Sequence, residues 1–150
     1  MTRSELEILI KARAAITISI FAALLAINTM VGNSNSSKVL TNTIAANNQW
    51  AWYQAKNVRL AIFEGNGKDV AAARMRSDMD DIMGKAQALE KERDHAKARS
   101  PYFTYAGSAL QIAIVLSTAS ILAVAFTMLW LSVAIGSLGA SLLFFGYFIA

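Results

Sequence analysis

The chain has 150 residues, of which 55% are hydrophobic, and it carries 14 Lys and Arg against 10 Asp and Glu. That apolar fraction is typical of membrane proteins rather than of ordinary soluble domains. There is no cysteine, which excludes disulfide frameworks, thiolate catalysis and cysteine metal sites. The modest positive charge suits anionic lipid headgroups, and no nucleic-acid-binding motif accompanies it.

The first segment that could cross a bilayer is AAITISIFAALLAINTMVG, residues 14–32, which follows a charged tail of residues 1–13. It contains no ionisable side chain, and as a helix it would extend about 28 Å, close to the thickness of the hydrocarbon core. Lys11 and Arg13 precede it, as cations precede a signal peptide, but no A-x-A cleavage site follows it. We therefore predict a retained transmembrane helix.

Residues 33–100 are polar and charged, and their helical patterns flank the turn-forming segment EGNGKD, residues 64–69. The predicted contact face of the first arm is Leu40, Ile44, Asn47, Ala51, Gln54, Val58 and Ala61. The predicted contact face of the second arm is Ala72, Met75, Met79, Ile82, Ala86 and Leu89. This heptad spacing predicts a coiled-coil-like antiparallel helical hairpin outside the membrane.

The last region, residues 101–150, has no charged residue and would be about 75 Å long as one helix, too long to cross the bilayer once. Ser100 and Pro101 suit the start of a helix. Aromatic residues collect at membrane interfaces, and Trp130 marks the interface opposite Tyr102. We predict transmembrane helices at 101–129 and 131–150, with a turn around 129–131. The predicted fold is an all-α membrane protein with three transmembrane helices and the hairpin between the first and second.

The run NNQWAWYQAKNVR, residues 47–59, places aromatic rings in the polar region. In the predicted register Trp50 lies opposite Ile82, about 27 Å beyond the first span and too far for the headgroups. Packing within the hairpin or between copies is the favoured interpretation, and a stacking platform for a ligand or carbohydrate is the alternative. Trp52 points elsewhere and is the candidate for a partner contact. The predicted interaction residues are Trp50, Trp52, Tyr53, Asn57, Met79, Ile82 and Met83.

The same run, placed between an N-terminal span and two C-terminal spans, resembles the bacterial membrane family catalogued as domain of unknown function four-three-three-seven. The best-matching residues are Gln49, Trp50, Tyr53, Gln54, Ala55 and Lys56. Members usually carry cations between the last two spans, whereas MLWLS, residues 128–132, has none. The resemblance implies this architecture and no particular chemistry.

No catalytic, cofactor or metal site is predicted. His95 has no partners at metal-ligand spacing, and the acidic run of residues 78–81 lacks the glycine and glutamate of a calcium loop. The predicted spans contain no ionisable group that could carry protons or ions. Small residues four apart predict close helix packing instead. These ladders are Ala15, Ser19 and Ala23 in the first span and Ser132, Gly136 and Ala140 in the third.

We therefore expect a non-enzymatic structural or scaffold protein of the bacterial inner membrane that self-associates through the hairpin and the small-residue faces. An accessory subunit of a larger membrane complex is the alternative, and a holin-like pore ranks third. No nucleic acid or small-molecule substrate is expected as a partner. Lys11 and Arg13 favour a cytoplasmic N-terminus and a periplasmic hairpin. Lys97 and Arg99, just before the second span, favour a cytoplasmic hairpin instead.

Overall fold

A computed structural model describes residues 2–150, and in that range it contains three α-helices and no strand. α1 spans Arg3–Gly65, α2 spans Asp69–Ala123 and α3 spans Phe126–Phe148. Each helix contains a segment long and apolar enough to cross a membrane, which confirms the all-helical class and the three apolar helices. Only 17%, 39% and 28% of these three apolar segments are buried inside the chain, so most of their surface is free to face lipid.

Both long helices continue across the boundaries between the segments 1–13, 14–32, 33–100 and 101–129 that the sequence predicts. α1 is helical from Arg3, and it continues through the GNSNSS segment of residues 32–37. Pro101 lies inside α2, so Ser100 does not start a new helix and that prediction is wrong. Proline removes one backbone hydrogen bond, but a helix is stabilised mainly by packing along its length and can tolerate that loss.

The chain divides into two compact units. The three-helix unit comprises the residues up to Asn35 together with Ala98–Ala150, and the two-arm unit comprises Ser36–Lys97. In the two-arm unit we call residues 36–65 of α1 the first arm and residues 69–97 of α2 the second arm.

Apolar contacts and close helix approach hold the three-helix unit together. Its two buried clusters are Phe21, Leu110 and Ala113, and Phe103, Ala106 and Leu143. The ring of Phe21 lies where the Cβ of any larger residue at position 136 would be, so a larger residue fits there only if that ring moves. For helices that lie in lipid, which is as apolar as these side chains, tight packing stabilises association more than burial from water does.

The connection between α2 and α3 lies at Val124 and Ala125, not at 129–131 as the sequence predicts. Val124 adopts the left-handed conformation with φ 51°, and the Ala125 N–H donates to the Ser120 carbonyl at 3.2 Å. Trp130 lies one turn inside α3, so it does not mark the turn itself. α3 has 23 residues and is about 34 Å long, which matches one crossing of the hydrocarbon core.

The C-terminal end of α3 is capped by a side chain from α2. The Arg99 Nε donates to the Gly146 carbonyl at 2.9 Å, and its guanidinium also donates to the Tyr147 carbonyl. The last carbonyls of a helix have no partner within the helix and carry partial negative charge, so a cation stabilises them.

Polar contacts also join the helices of this unit. The Ser132 hydroxyl donates to the Ala113 carbonyl at 2.6 Å, and it lies 2.6 Å from the Ser117 hydroxyl. The buried Asn28 amide donates to the Phe103 carbonyl at 2.9 Å. These serines and the asparagine therefore form interhelical hydrogen bonds, the role in which polar residues join helices in membranes.

The turn of the two-arm unit is a Schellman motif that ends α1 within the predicted segment 64–69. Gly67 has φ +66°, its N–H donates to the Glu64 carbonyl at 3.2 Å, and the Lys68 N–H donates to the Phe63 carbonyl at 3.0 Å. Glycine adopts this left-handed conformation without steric cost, which explains why the chain reverses here.

Candidate interaction surface

The first arm turns a different face to the second arm from the one that the sequence predicts. Its buried and half-buried residues at heptad spacing are Val39, Asn42, Ala46, Gln49, Tyr53, Lys56, Leu60 and Phe63. The predicted contact face is exposed instead, with exposed fractions of 61% for Leu40, 52% for Ile44 and 64% for Val58. The predicted seam of the first arm is therefore wrong.

The face of the first arm that is used meets polar partners on the second arm. Lys56 Nζ lies 2.6 Å from the Asp78 carboxylate. The side-chain amide nitrogen of Asn42 lies 3.5 Å from the Glu92 carboxylate. The predicted face offers no cation to these carboxylates. Ala46 is fully buried, so the small side chain also allows the helices to approach closely.

The second arm buries the face that its apolar residues mark. Ala72, Met79, Ile82 and Ala86 are all buried, and Met75 and Leu89 are half-buried. Strongly apolar residues at heptad spacing leave this arm only one face to bury, because charged residues occupy the rest.

The exposed face of the first arm forms a continuous stripe, which we call the outer stripe. It consists of Leu40, Ile44, Asn47, Ala51, Gln54, Val58 and Ala61, all exposed. These residues alternate at spacings of four and three, as the core positions a and d of a coiled coil do. In this heptad Leu40 occupies a d position, and Ile44 and Val58 occupy a positions.

No charged residue interrupts the outer stripe between Leu40 and Ala61. The adjoining e and g positions from Leu40 to Ile62 are Thr41, Thr43, Asn48, Trp50, Ala55, Asn57 and Ile62. The charged residues of the arm lie elsewhere, at Lys38, Lys56 and Arg59 and at Glu64 beyond the end of the stripe. A heptad face that is apolar, uncharged and exposed is typical of a surface that packs against another helix.

Trp50 is half-buried and held by two contacts. Its indole Nε1 donates to the Glu90 carboxylate at 2.9 Å, and its ring packs edge-on against Tyr53 at 5.6 Å between centroids. The sequence places Trp50 opposite Ile82, between Met79 and Met83. The hydrogen-bond partner lies about two helical turns further along α2 than Ile82.

Trp52 is the aromatic residue that shares a groove with Ile82. Its side chain is 65% exposed. The groove has a volume of about 300 Å³ and is lined by Gln49, Trp52, Lys56, Asp78, Asp81, Ile82 and Lys85. Both carboxylates are already paired, Asp78 with Lys56 and Asp81 with Lys85. The groove therefore offers a ring surface rather than an unpaired charge.

The remaining predicted residues separate into two groups. Tyr53 and Met83 are half-buried in the two-arm unit, whereas Asn57 is exposed beside the outer stripe. In the three-helix unit, Ser132 and Gly136 are buried and Ala140 is half-buried within the helix packing. The first-span ladder of Ala15, Ser19 and Ala23 is exposed.

Within the described part of the chain, ten of the ionisable groups form five ion pairs. Among residues 2–150 there is no cluster of three or more His, Asp or Glu able to hold a metal ion, and His95 is exposed. A hydrogen bond from Arg93 lowers the pKa of Asp94 and raises the pKa of Arg93. A hydrogen bond from Lys11 likewise lowers the pKa of Glu7. Such exposed pairs contribute little to stability.

Comparison with known proteins gives one match. The family model described as Domain of unknown function (DUF4337) matches the chain over residues 10–73 and 68–149. No curated protein and no solved structure matches it.

Proposed function

The chain belongs to the family described as Domain of unknown function (DUF4337), which assigns no activity, and we propose that it is a non-enzymatic structural membrane protein that self-associates. In this proposal the three apolar helices cross the membrane, and the two-arm unit is an antiparallel helical hairpin outside it. The observation that carries the proposal is the outer stripe, an uncharged heptad face whose residues are all exposed.

The partner that fits the outer stripe best is a second copy of the same stripe. Copies of a membrane protein share one orientation, so their first arms would meet in parallel. Parallel two-stranded coiled coils favour β-branched residues at a and leucine at d, as found at Ile44, Val58 and Leu40. Two copies would bring no like charges together along the stripe, because it has none.

The amides of the outer stripe make this pairing specific. Asn47 and Gln54 occupy d positions, where in a parallel dimer each would face its counterpart and exchange a hydrogen bond. A shift of one heptad would still pair Asn47 of one copy with Gln54 of the other, but it would place the remaining Asn47 against Leu40 and the remaining Gln54 against Ala61, with their polar atoms unpaired. Such positions reduce affinity but fix register, which suits a reversible scaffold contact.

A substitution pair tests this function. Ile44→Glu combined with Val58→Glu puts four carboxylates into the proposed dimer interface, and we expect the native mass of the gently solubilised protein to fall from a multiple of 16.2 kDa to a single chain. Val70→Glu is the control, since Val70 is 73% exposed and lies outside the stripe. A monomeric unsubstituted protein would contradict the proposal. A stoichiometric second protein lost on Ile44→Glu/Val58→Glu substitution would favour an accessory subunit instead.

We also propose that the protein resides in a cytoplasmic membrane with its N-terminus inside and the two-arm unit outside. Lys11 and Arg13 directly precede the first apolar segment, and the first helix usually sets orientation. Protease added to cells whose cytoplasmic membrane is sealed and whose outer membrane has been removed should then cleave within residues 64–69. Resistance to cleavage until the cells are lysed would place the two-arm unit inside.

A further inference from the structure

A groove in the three-helix unit lies between the start of α3 and the point on α1 where the apolar segment begins. Its volume is about 240 Å³, and its apolar wall includes Ile16, Phe126, Leu129 and Val133. Arg13, Thr17 and Trp130 supply its only polar groups. The groove therefore combines an apolar channel with a cation.

The cation of this groove has no carboxylate partner. The Arg13 guanidinium lies over the Phe126 ring at 5.8 Å, and none of the ion pairs in residues 2–150 includes it. The nearby carboxylates are already engaged, Glu7 by Lys11 at 2.5 Å and Glu5 by the Thr2 N–H at 2.7 Å. Arg13 is free to bind an anion, and arginine suits phosphate because its fork of N–H groups can donate two parallel hydrogen bonds.

The position of the groove matches that of a lipid headgroup. Arg13 precedes the uncharged residues 14–32, and Trp130 is 66% exposed, as aromatic residues at a membrane interface are. Its indole N–H has no hydrogen-bond partner among residues 2–150 and is a second donor for a phosphate oxygen. From Phe126 to Val133 the apolar wall extends about 10 Å along α3, so an acyl chain can lie against it.

We propose that this groove binds one anionic phospholipid, with its phosphate on Arg13 and one acyl chain along Ile16, Leu129 and Val133. A free phosphate would gain the single cation but none of the apolar contact. A zwitterionic lipid would bring its own cation next to Arg13, where no unpaired carboxylate receives it. The site depends on the three helices crossing the membrane and is independent of self-association.

Native mass spectrometry of the full chain in detergent tests this site, with phosphatidylglycerol and phosphatidylcholine of identical acyl chains as probes. We expect phosphatidylglycerol to bind preferentially, and Arg13→Gln to weaken its binding about tenfold, as the loss of a charge-assisted contact predicts. Arg13→Lys should retain part of the preference. Arg3→Gln, which removes another exposed cation from the same segment, should leave binding unchanged.

Two further measurements test whether a phosphate group alone is enough for binding and whether the acyl chain contributes to it. Glycerol 3-phosphate should not compete with the lipid at equal concentration, and Val133→Trp should weaken lipid binding while Arg13 is intact, because the indole would fill the acyl channel. Equal binding of the two lipids, full competition by glycerol 3-phosphate, or an Arg13→Gln variant that binds like the unsubstituted protein would each overturn the proposal. Helicity measured by circular dichroism confirms that each variant is folded.

Discussion

Arg99 should stabilise the three-helix unit because it ties α2 to the end of α3. Its guanidinium donates to the carbonyls of Gly146 and Tyr147, two groups that the helix itself leaves without partners. A hydrogen bond from a charged donor contributes about 1.5–3 kcal/mol, and a cation at a helix C-terminus adds about 0.3–1 kcal/mol. The contact with Gly146 is partly buried and the contact with Tyr147 is exposed, so the lower ends of these ranges apply. Arg99→Gln should therefore lower the free energy of unfolding by about 2 kcal/mol.

Unfolding of the purified protein in mixed micelles, followed by circular dichroism, measures this loss. Lys97→Gln is the matched control, because Lys97 is an exposed cation two residues earlier on α2. We expect Lys97→Gln to change stability by less than about 0.5 kcal/mol. Equal stabilities of Arg99→Gln and Lys97→Gln would show that the Arg99 cap does not stabilise α3.

Three further predictions test the packing. Val124→Gly should raise the free energy of unfolding by up to about 1 kcal/mol, because glycine adopts the left-handed conformation of this position without strain. A lower free energy of unfolding in Val124→Gly would contradict the positive φ of Val124. Gly136→Leu should lower the free energy of unfolding by about 1–3 kcal/mol, because the leucine side chain would collide with the Phe21 ring. Adding Phe21→Ala should restore part of that stability, and no restoration would rule out the contact. Trp50→Ala should lower the free energy of unfolding by about 2 kcal/mol, since the ring is half-buried, and Trp52→Ala should lower it by less than about 1 kcal/mol. Thermal unfolding that shows the larger loss for Trp52→Ala would refute the packing of Trp50 between the arms.

Local chemistry explains which parts of the fold are predictable from sequence. Gly67 marks the turn of the two-arm unit because its left-handed conformation suits glycine. The connection between α2 and α3 has no such signal, since Val124 is a residue that avoids positive φ. The Arg99 cap joins groups 47 residues apart, so it becomes visible only when the helices are packed.

The first arm shows why the interaction surface is harder to predict. Its sequence contains two heptad patterns, one with Leu40, Ile44 and Val58 and another with Ala46 and Lys56. Hydrophobicity alone favours the first pattern as the contact face. The second pattern is the one that faces the second arm, where Lys56 and Asn42 meet carboxylates, and the sequence of the first arm alone does not reveal these partners.

Cysteine crosslinking tests the self-association of the outer stripe most directly, because the chain has no cysteine of its own. Ala51 lies exposed at an a position near the middle of the stripe, where a parallel in-register dimer brings the two copies within the roughly 4.4–6.8 Å Cα separation of a disulfide. Ser77, exposed on the second arm, is the control position. Mild oxidation in native membranes should convert Ala51→Cys, and not Ser77→Cys, to a covalent dimer on non-reducing gels. Crosslinking at Ser77→Cys but not at Ala51→Cys, or at neither position, would contradict the account.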